Sequence, residues 1–198
     1  MNNGPQFDAR VLGEGLQRPE RALALDVMGA ALAAVDAQEA VRRHVTRAPG
    51  GDVLCVAGRE YDLRRYRRIW VVGAGKASAG MAAALEDLLG ERLAGGIVSV
   101  KDGHGLPLRR VAVREARHPL PDERGWRATQ EMLALLQGAG EDDLVIAALS
   151  GGGSALLVAP VEGVSLADMQ ALTDLLLRSG ATIGELNAVR KHLSRGQG

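Results

Sequence analysis

The chain has 198 residues, enough for one large domain or two small ones, and its 24 basic and 24 acidic side chains cancel, leaving no electrostatic footprint for nucleic acid or a membrane surface. Aromatic residues make up only 3%, the composition of a helix-rich α/β protein rather than a β-sandwich. The single cysteine, Cys55, excludes an internal disulfide and a cysteine-based zinc cluster and reads as a buried structural thiol. No run approaches the roughly 20 apolar residues needed to cross a bilayer, and the N-terminus lacks a basic-then-apolar signal pattern, so a cytoplasmic protein is expected.

Residues 1–17 hold Gly4, Pro5, Gly13 and Gly15 without a sustained period and read as a loose tail, leaving 18–198 as one α/β domain. Pro19 fits the first position of a helix, and Leu23, Val27, Ala30, Ala31 and Ala34 recur at helical spacing behind it. Asp36 suits the N-cap of a second helix, Ala37 to Thr46, which Pro49-Gly50-Gly51 stops. Val53 to Ala57 and Arg59 to Leu63 read as a hairpin around Gly58, and the basic cluster Arg64, Arg65, Arg67 and Arg68 as solvated surface.

The centre of the chain is Arg68 to Met81, RIWVVGAGKASAGM. Ile69 to Val72 form an uninterrupted β-prone run, the pattern of a strand buried on both faces of a parallel sheet. The turn Gly73-Ala74-Gly75 follows, and a helix over Lys76 to Leu89 would aim its unpaired N–H groups into that turn. Such a turn is an anion site, to which Lys76 adds an ammonium and in which Gly73, Gly75 and Ser78 are candidate contacts. Two familiar motifs fail here. A P-loop needs glycine and Ser/Thr where Trp70 and Ala77 stand, and a dinucleotide fingerprint needs glycine at Ser78 and an acid where Lys101 ends the next strand.

Gly95-Gly96 then leads into a strand at Ile97 to Val100, the turn KDGHG, and a strand at Val111 to Ala116 that runs into Arg117-His118-Pro119-Leu120-Pro121-Asp122. Asp122 is placed to cap a helix from Glu123 to Gln137, with Trp126, Met132, Leu133 and Leu136 available to pack. Leu144 to Leu149 is a fourth apolar strand and ends in Ser150-Gly151-Gly152-Gly153-Ser154, where a concave run of N–H groups and two hydroxyls can surround an anion. No histidine and acid lie close in sequence to make either serine a nucleophile. The last helix, Thr182 to Ser194, puts Leu186, Val189 and Leu193 on one face and Asn187, Arg190, Lys191 and Ser194 on the other. That second stripe is either a solvated face or a second phosphate contact by Asn187, Arg190 and Lys191, and His118, before a proline, is either a loop residue or a group that orients a substrate and serves as a base.

Strands alternating with helices imply an open, mostly parallel sheet with helices on both faces, a Rossmann-like arrangement, and the N-terminal helices packed alongside. Right-handed crossovers would bring the carboxyl ends of the strands, and with them GAGK, KDGHG, RHPLPD and SGGGS, to one edge.

Taken together, GAGKAS, ARHPLPDERG, LSGGGSALL and ELNAVRKHLS resemble the glycerate 2-kinase family, whose members have often been labelled hydroxypyruvate reductases. The resemblance implies a two-domain α/β enzyme that uses ATP and Mg2+ to phosphorylate the 2-hydroxyl of D-glycerate, giving 2-phosphoglycerate. It makes Lys76 the catalytic lysine of the GAGKAS motif, leaves the metal ligands unknown, and leaves a homodimer open as the assembly. Family members are about twice as long, so the chain is expected to be an N-terminal portion with little activity alone, ending at a turn. Two readings compete with the kinase: an NAD(P)H-dependent reductase, and a fragment that binds anions without catalysis.

Overall fold

The computed structural model describes residues 19–197, so the expectation for residues 1–17 lies outside the described residues. Helix α1 (Pro19–Ala34) is followed by α2 (Ala37–His44), a three-stranded antiparallel sheet of β1 (Val45–Arg47), β2 (Val53–Val56) and β3 (Arg59–Asp62), and then the main sheet. Asp36 caps α2 as expected, its Oδ1 accepting the Glu39 N–H at 2.9 Å. The second helix stops two residues short of Thr46, because Val45–Arg47 instead pairs with Leu54–Val56. The hairpin turns on Ala57 (φ 49) and Gly58 (φ 83), the double positive φ of a two-residue turn that matches strand twist.

The main sheet holds β4 (Arg68–Ala74), β5 (Leu93–Lys101), β6 (Val111–Ala116) and β7 (Asp143–Leu149) in the order β6-β5-β4-β7, every neighbouring pair parallel. Strand β5 is longer than the sequence suggests: Gly95 and Gly96 lie inside it, where a side chain on Gly96 would collide with the Val71 backbone of β4. Helix α3 (Ser78–Leu89) covers one face, with α2 beyond it; Ile69, Val71, Ala79, Leu85, Val98 and Val100 form the main core there. The other face carries α4 (Glu123–Gln137) and the single turn α5 (Gly153–Leu156), packed over Ala74 and Ala116. Asp122 caps α4 through the Gly125 N–H at 2.9 Å. Of the α4 side chains expected to pack, Met132 is buried but Trp126 and Leu136 are exposed; Gly125, Ala128 and Thr129 make the seam instead.

Two segments are left partly uncovered, the first of them against expectation. The apolar positions of α1 face solvent, with Leu23 64% and Val27 61% exposed, so α2 alone of the two leading helices packs alongside the sheet. Strand β7, though apolar throughout after Asp143, lies at the sheet edge, and Leu149 is 60% exposed. Cys55 is only partly buried, and Arg68 is no free surface cation but grips the fully buried Asp143 side chain at 2.6 Å. Helices α6 (Leu166–Arg178) and α7 (Ile183–His192) complete the chain, each opened by a capping box, at Ser165–Asp168 and Thr182–Glu185. The first of them was not anticipated. Among the described residues, no helix is long and apolar enough to cross a membrane.

Candidate active site

Because the four strands run parallel, the turns after β4, β5, β6 and β7 meet at one edge. The GAGK turn holds the SGGGS turn directly: the Lys76 N–H donates to the Gly151 carbonyl at 3.0 Å, and the Ala77 N–H to Ser150 Oγ at 3.0 Å. Gly75 (φ 140) permits this contact, since a methyl group there would fall on the Ser150 side chain and carbonyl. Helix α3 therefore begins at Ser78, not Lys76, and the N–H groups that the sequence offers to an anion at positions 76 and 77 are taken by the protein itself. Ser78 is buried and its hydroxyl donates to the Ala148 carbonyl at 2.8 Å, while Gly73 is buried against the same residue. Gly73, Gly75 and Ser78 thus lie beneath the site as the floor that joins the two turns.

Above that floor opens a cavity of about 980 Å³. His118, Ser150, Gly152, Gly153 and Ser154 line one side, and Asn187, Arg190 and Lys191 of α7 the other. Gly152 (φ 91) passes between two side chains: a Cβ there would stand 3.0 Å from His118 Nε2 and 3.5 Å from Lys76 Cγ. The exposed Lys76 and Gly151 sit at the lip, where His104 of KDGHG donates through Nδ1 to the Lys76 carbonyl at 3.2 Å.

The electrostatics are one-sided. Among the described residues no carboxylate lines the cavity, whereas burial, and then the charges of Lys76, Lys101, Arg190 and His104, hold His118 below the usual histidine range. A histidine so placed is neutral at pH 7 and free to accept a proton. Arg190 is 9% exposed and burial lowers its pKa, with no side-chain hydrogen bond or ion pair to it among the described residues. A buried guanidinium without a partner is costly, and an entering anion would relieve that cost. Among the described residues no group of three or more His, Cys, Asp or Glu could hold a metal ion.

Sequence reasoning missed Gln197. Its amide clamps α5, with Nε2 donating to the Ser154 and Leu157 carbonyls at 2.8 Å and Oε1 accepting from Ser154 Oγ at 2.8 Å. The segment after α7 is docked on the domain: Arg195 N–H donates to the Ala159 carbonyl at 2.8 Å and Ser194 is 5% exposed, removed from the polar stripe of α7. Only the glutamine's two-sided amide hinted at this, and its partners lie about 40 residues away.

Residues 23–198 match the family described as Domain of unknown function (DUF4147). The chain is 42% identical over 178 residues to a glycerate 2-kinase of Pyrococcus horikoshii, covering 90% of this chain and 39% of that protein. It is 44% identical over 168 residues to a protein of Agrobacterium vitis whose name assigns it, provisionally, to hydroxypyruvate reductase, covering 85% and 35%. A crystal structure of a glycerate kinase from Thermotoga maritima superposes with a TM-score of 0.69 at 36% identity, covering 88% of this chain and 38% of that one. The chain thus spans about two fifths of the length of these relatives. With the family match over nearly the whole chain and this level of identity in both sequence and fold, the chain belongs to the DUF4147 family, the N-terminal domain of glycerate kinases.

Proposed function

We propose that this domain forms the anion-holding wall of an ATP-dependent D-glycerate 2-kinase. The observation that carries the reading is the meeting of His118, Arg190 and Lys191 on one cavity, with Lys76 beside Gly152 and its charge acting on His118, while no carboxylate among the described residues lines it. In the proposed reaction the 2-hydroxyl oxygen of D-glycerate attacks the γ-phosphorus of ATP, the bond to the β-phosphate oxygen breaks, and ADP and 2-phosphoglycerate result. His118, neutral at pH 7, accepts the hydroxyl proton. Lys76 at the lip meets the phosphoryl charge, where positioning and electrostatics do most of the work. Arg190, with Asn187 and Lys191 beside it, holds the carboxylate of glycerate, since a guanidinium fork suits a planar bidentate acceptor.

The residues present do not fit Mg2+ on their own, because the cavity offers no carboxylate pair and the described residues no other ligand cluster. A reductase would need the GAGK turn for the dinucleotide pyrophosphate. Ser150 and Gly151 already occupy the N–H groups there, which weighs against that reading.

Calorimetric titration of the chain with 2-phosphoglycerate and with D-glycerate tests the proposal. Both should bind saturably, and Lys76→Met should weaken 2-phosphoglycerate by about tenfold, the worth of one charge-assisted hydrogen bond, while changing D-glycerate less. No binding of either ligand, or equal weakening of both, would remove Lys76 from the phosphate role.

A further inference from the structure

Arg124 lies outside the cavity, on the first turn of α4, and makes three hydrogen bonds to two carboxylates. Its Nη1 and Nη2 donate to Asp102 Oδ1 at 2.7 Å and Oδ2 at 2.9 Å as a fork, and its Nε donates to Asp122 Oδ2 at 2.9 Å. Each carboxylate belongs to a different rim of the site. Asp102 sits in the KDGHG turn between Lys101, the last residue of β5, and His104, which reaches the Lys76 carbonyl. Asp122 ends the segment that carries His118 and, through Oδ1, caps α4. The Asp102 N–H also donates to the Ala116 carbonyl at 3.0 Å, so the two rims run side by side up to the guanidinium.

We infer that Arg124 is a positioning residue, which by clamping Asp102 to Asp122 fixes Lys101 and His104 against His118 and so sets the charge that His118 and a bound anion feel. An isolated pair this exposed would contribute little, with Arg124 at 53% and Asp102 at 47%. A planar fork on one acid and a third bond to another instead define a direction, which a lysine cannot reproduce. The pairing persists across the working range: Arg124 is charged throughout, and its guanidinium holds the Asp102 carboxyl below the ordinary carboxylate pKa.

The inference rests on the kinase reading only for its ligand arm. The deciding measurement is the NMR titration midpoint of His118, assigned by comparison with His118→Gln, in the wild-type chain, Asp102→Ala and Arg124→Lys. The charges that act most on His118 are those of Lys76, Lys101, Arg190 and His104, all of which disfavour its protonation. Loss of the Asp102 charge could by itself only lower the midpoint. An upward shift, expected at about 0.5 pH unit in Asp102→Ala and smaller in Arg124→Lys, therefore reports movement of Lys101 and His104 away from the ring. Affinity for 2-phosphoglycerate should fall about tenfold in Asp102→Ala, because misplacing charges at a site costs binding. A midpoint that stays or falls in both variants overturns the assignment, whatever their thermal stability. If the wild-type chain binds no 2-phosphoglycerate, the kinase reading fails and the His118 midpoint still decides the clamp. Should Asp102→Ala not fold, Arg124→Lys carries the same criterion.

Discussion

Ser150 Oγ accepts the backbone N–H of Ala77 at 3.0 Å, so the loop after the edge strand caps the helix that follows the central strand. The two glycine turns are one structure. Ser150→Ala should therefore destabilise the fold by about 1 kcal/mol, the usual cost of a lost helix cap. Gly75→Ala should cost more, because its methyl group would strike Ser150 in a backbone conformation that L residues rarely adopt. Denaturant titration measures both, and a Ser150→Ala midpoint equal to wild type would mean the cap is idle.

His118 should titrate below the usual histidine value, since burial and four neighbouring cationic or histidine side chains all disfavour its charged form. The folded state then holds fewer protons than the unfolded chain between the lowered pKa and about 6.5. This contribution to stability is complete above the unfolded value and is lost as pH falls through the folded one. His118→Gln should flatten the loss of stability between about pH 7 and pH 5. An NMR midpoint at or above the ordinary value would refute the burial argument and take away the proposed proton acceptor.

Asp143 is another titratable group whose surroundings fix its charge. Arg68 binds it through two bonds, of 2.9 and 2.6 Å, and the Gly140 N–H adds a third at 2.9 Å. Arg68, and then Gly140, hold this carboxyl well below the usual range. A depressed carboxylate stabilises above its unfolded pKa, and that gain disappears as pH falls through the folded value. Asp143→Asn should lower the unfolding midpoint at pH 7, and the difference from wild type should narrow below about pH 4. A difference that stays constant with pH would assign the effect to packing.

Local punctuation explains which elements were legible in the sequence. Strand β6 and helix α4 fall where they were expected because Asp122 marks a boundary that no distant contact alters. The strand–turn–helix of GAGK and the meeting of four turns followed from alternation and handedness. What the sequence hid was long-range. Val45–Arg47 becomes a strand only by pairing with β2, β7 becomes an edge only through the strand order, and α1 keeps a helical period without a surface to bury it. At the candidate site, residue types pointed to the edge where the turns meet but not to which groups bind other parts of the protein. Ser78 and Ser150 look like ligand hydroxyls in sequence, and the structure spends one on Ala148 and the other on Ala77. Gln197 and Arg124 act on partners far away in the chain, which no spacing rule connects.

The exposed apolar surface leads to the last prediction. On β7, Val145 and Leu149 point away from the α3 core at 37% and 60% exposure, and nearby Ile183 on α7 is 71% exposed. Leu23, Val27, Met28 and Leu32 of α1 add a second patch, each at least 47% exposed. Edge strands in soluble proteins are commonly guarded by charge, as β6 is by Arg114 and Glu115, but β7 carries only apolar residues after Asp143. Surfaces of this kind associate. The chain should elute from size exclusion above its monomer mass of 20.8 kDa and bind an apolar dye while folded. Val145→Lys, placed on the solvent face of the edge strand, should shift the elution toward monomer with little loss of stability, since the side chain displaces no core contact. If Val145→Lys leaves the elution unchanged while a lysine at Val27 of α1 moves it, the association belongs to the N-terminal helix rather than the sheet edge; a monodisperse wild-type monomer would contradict both.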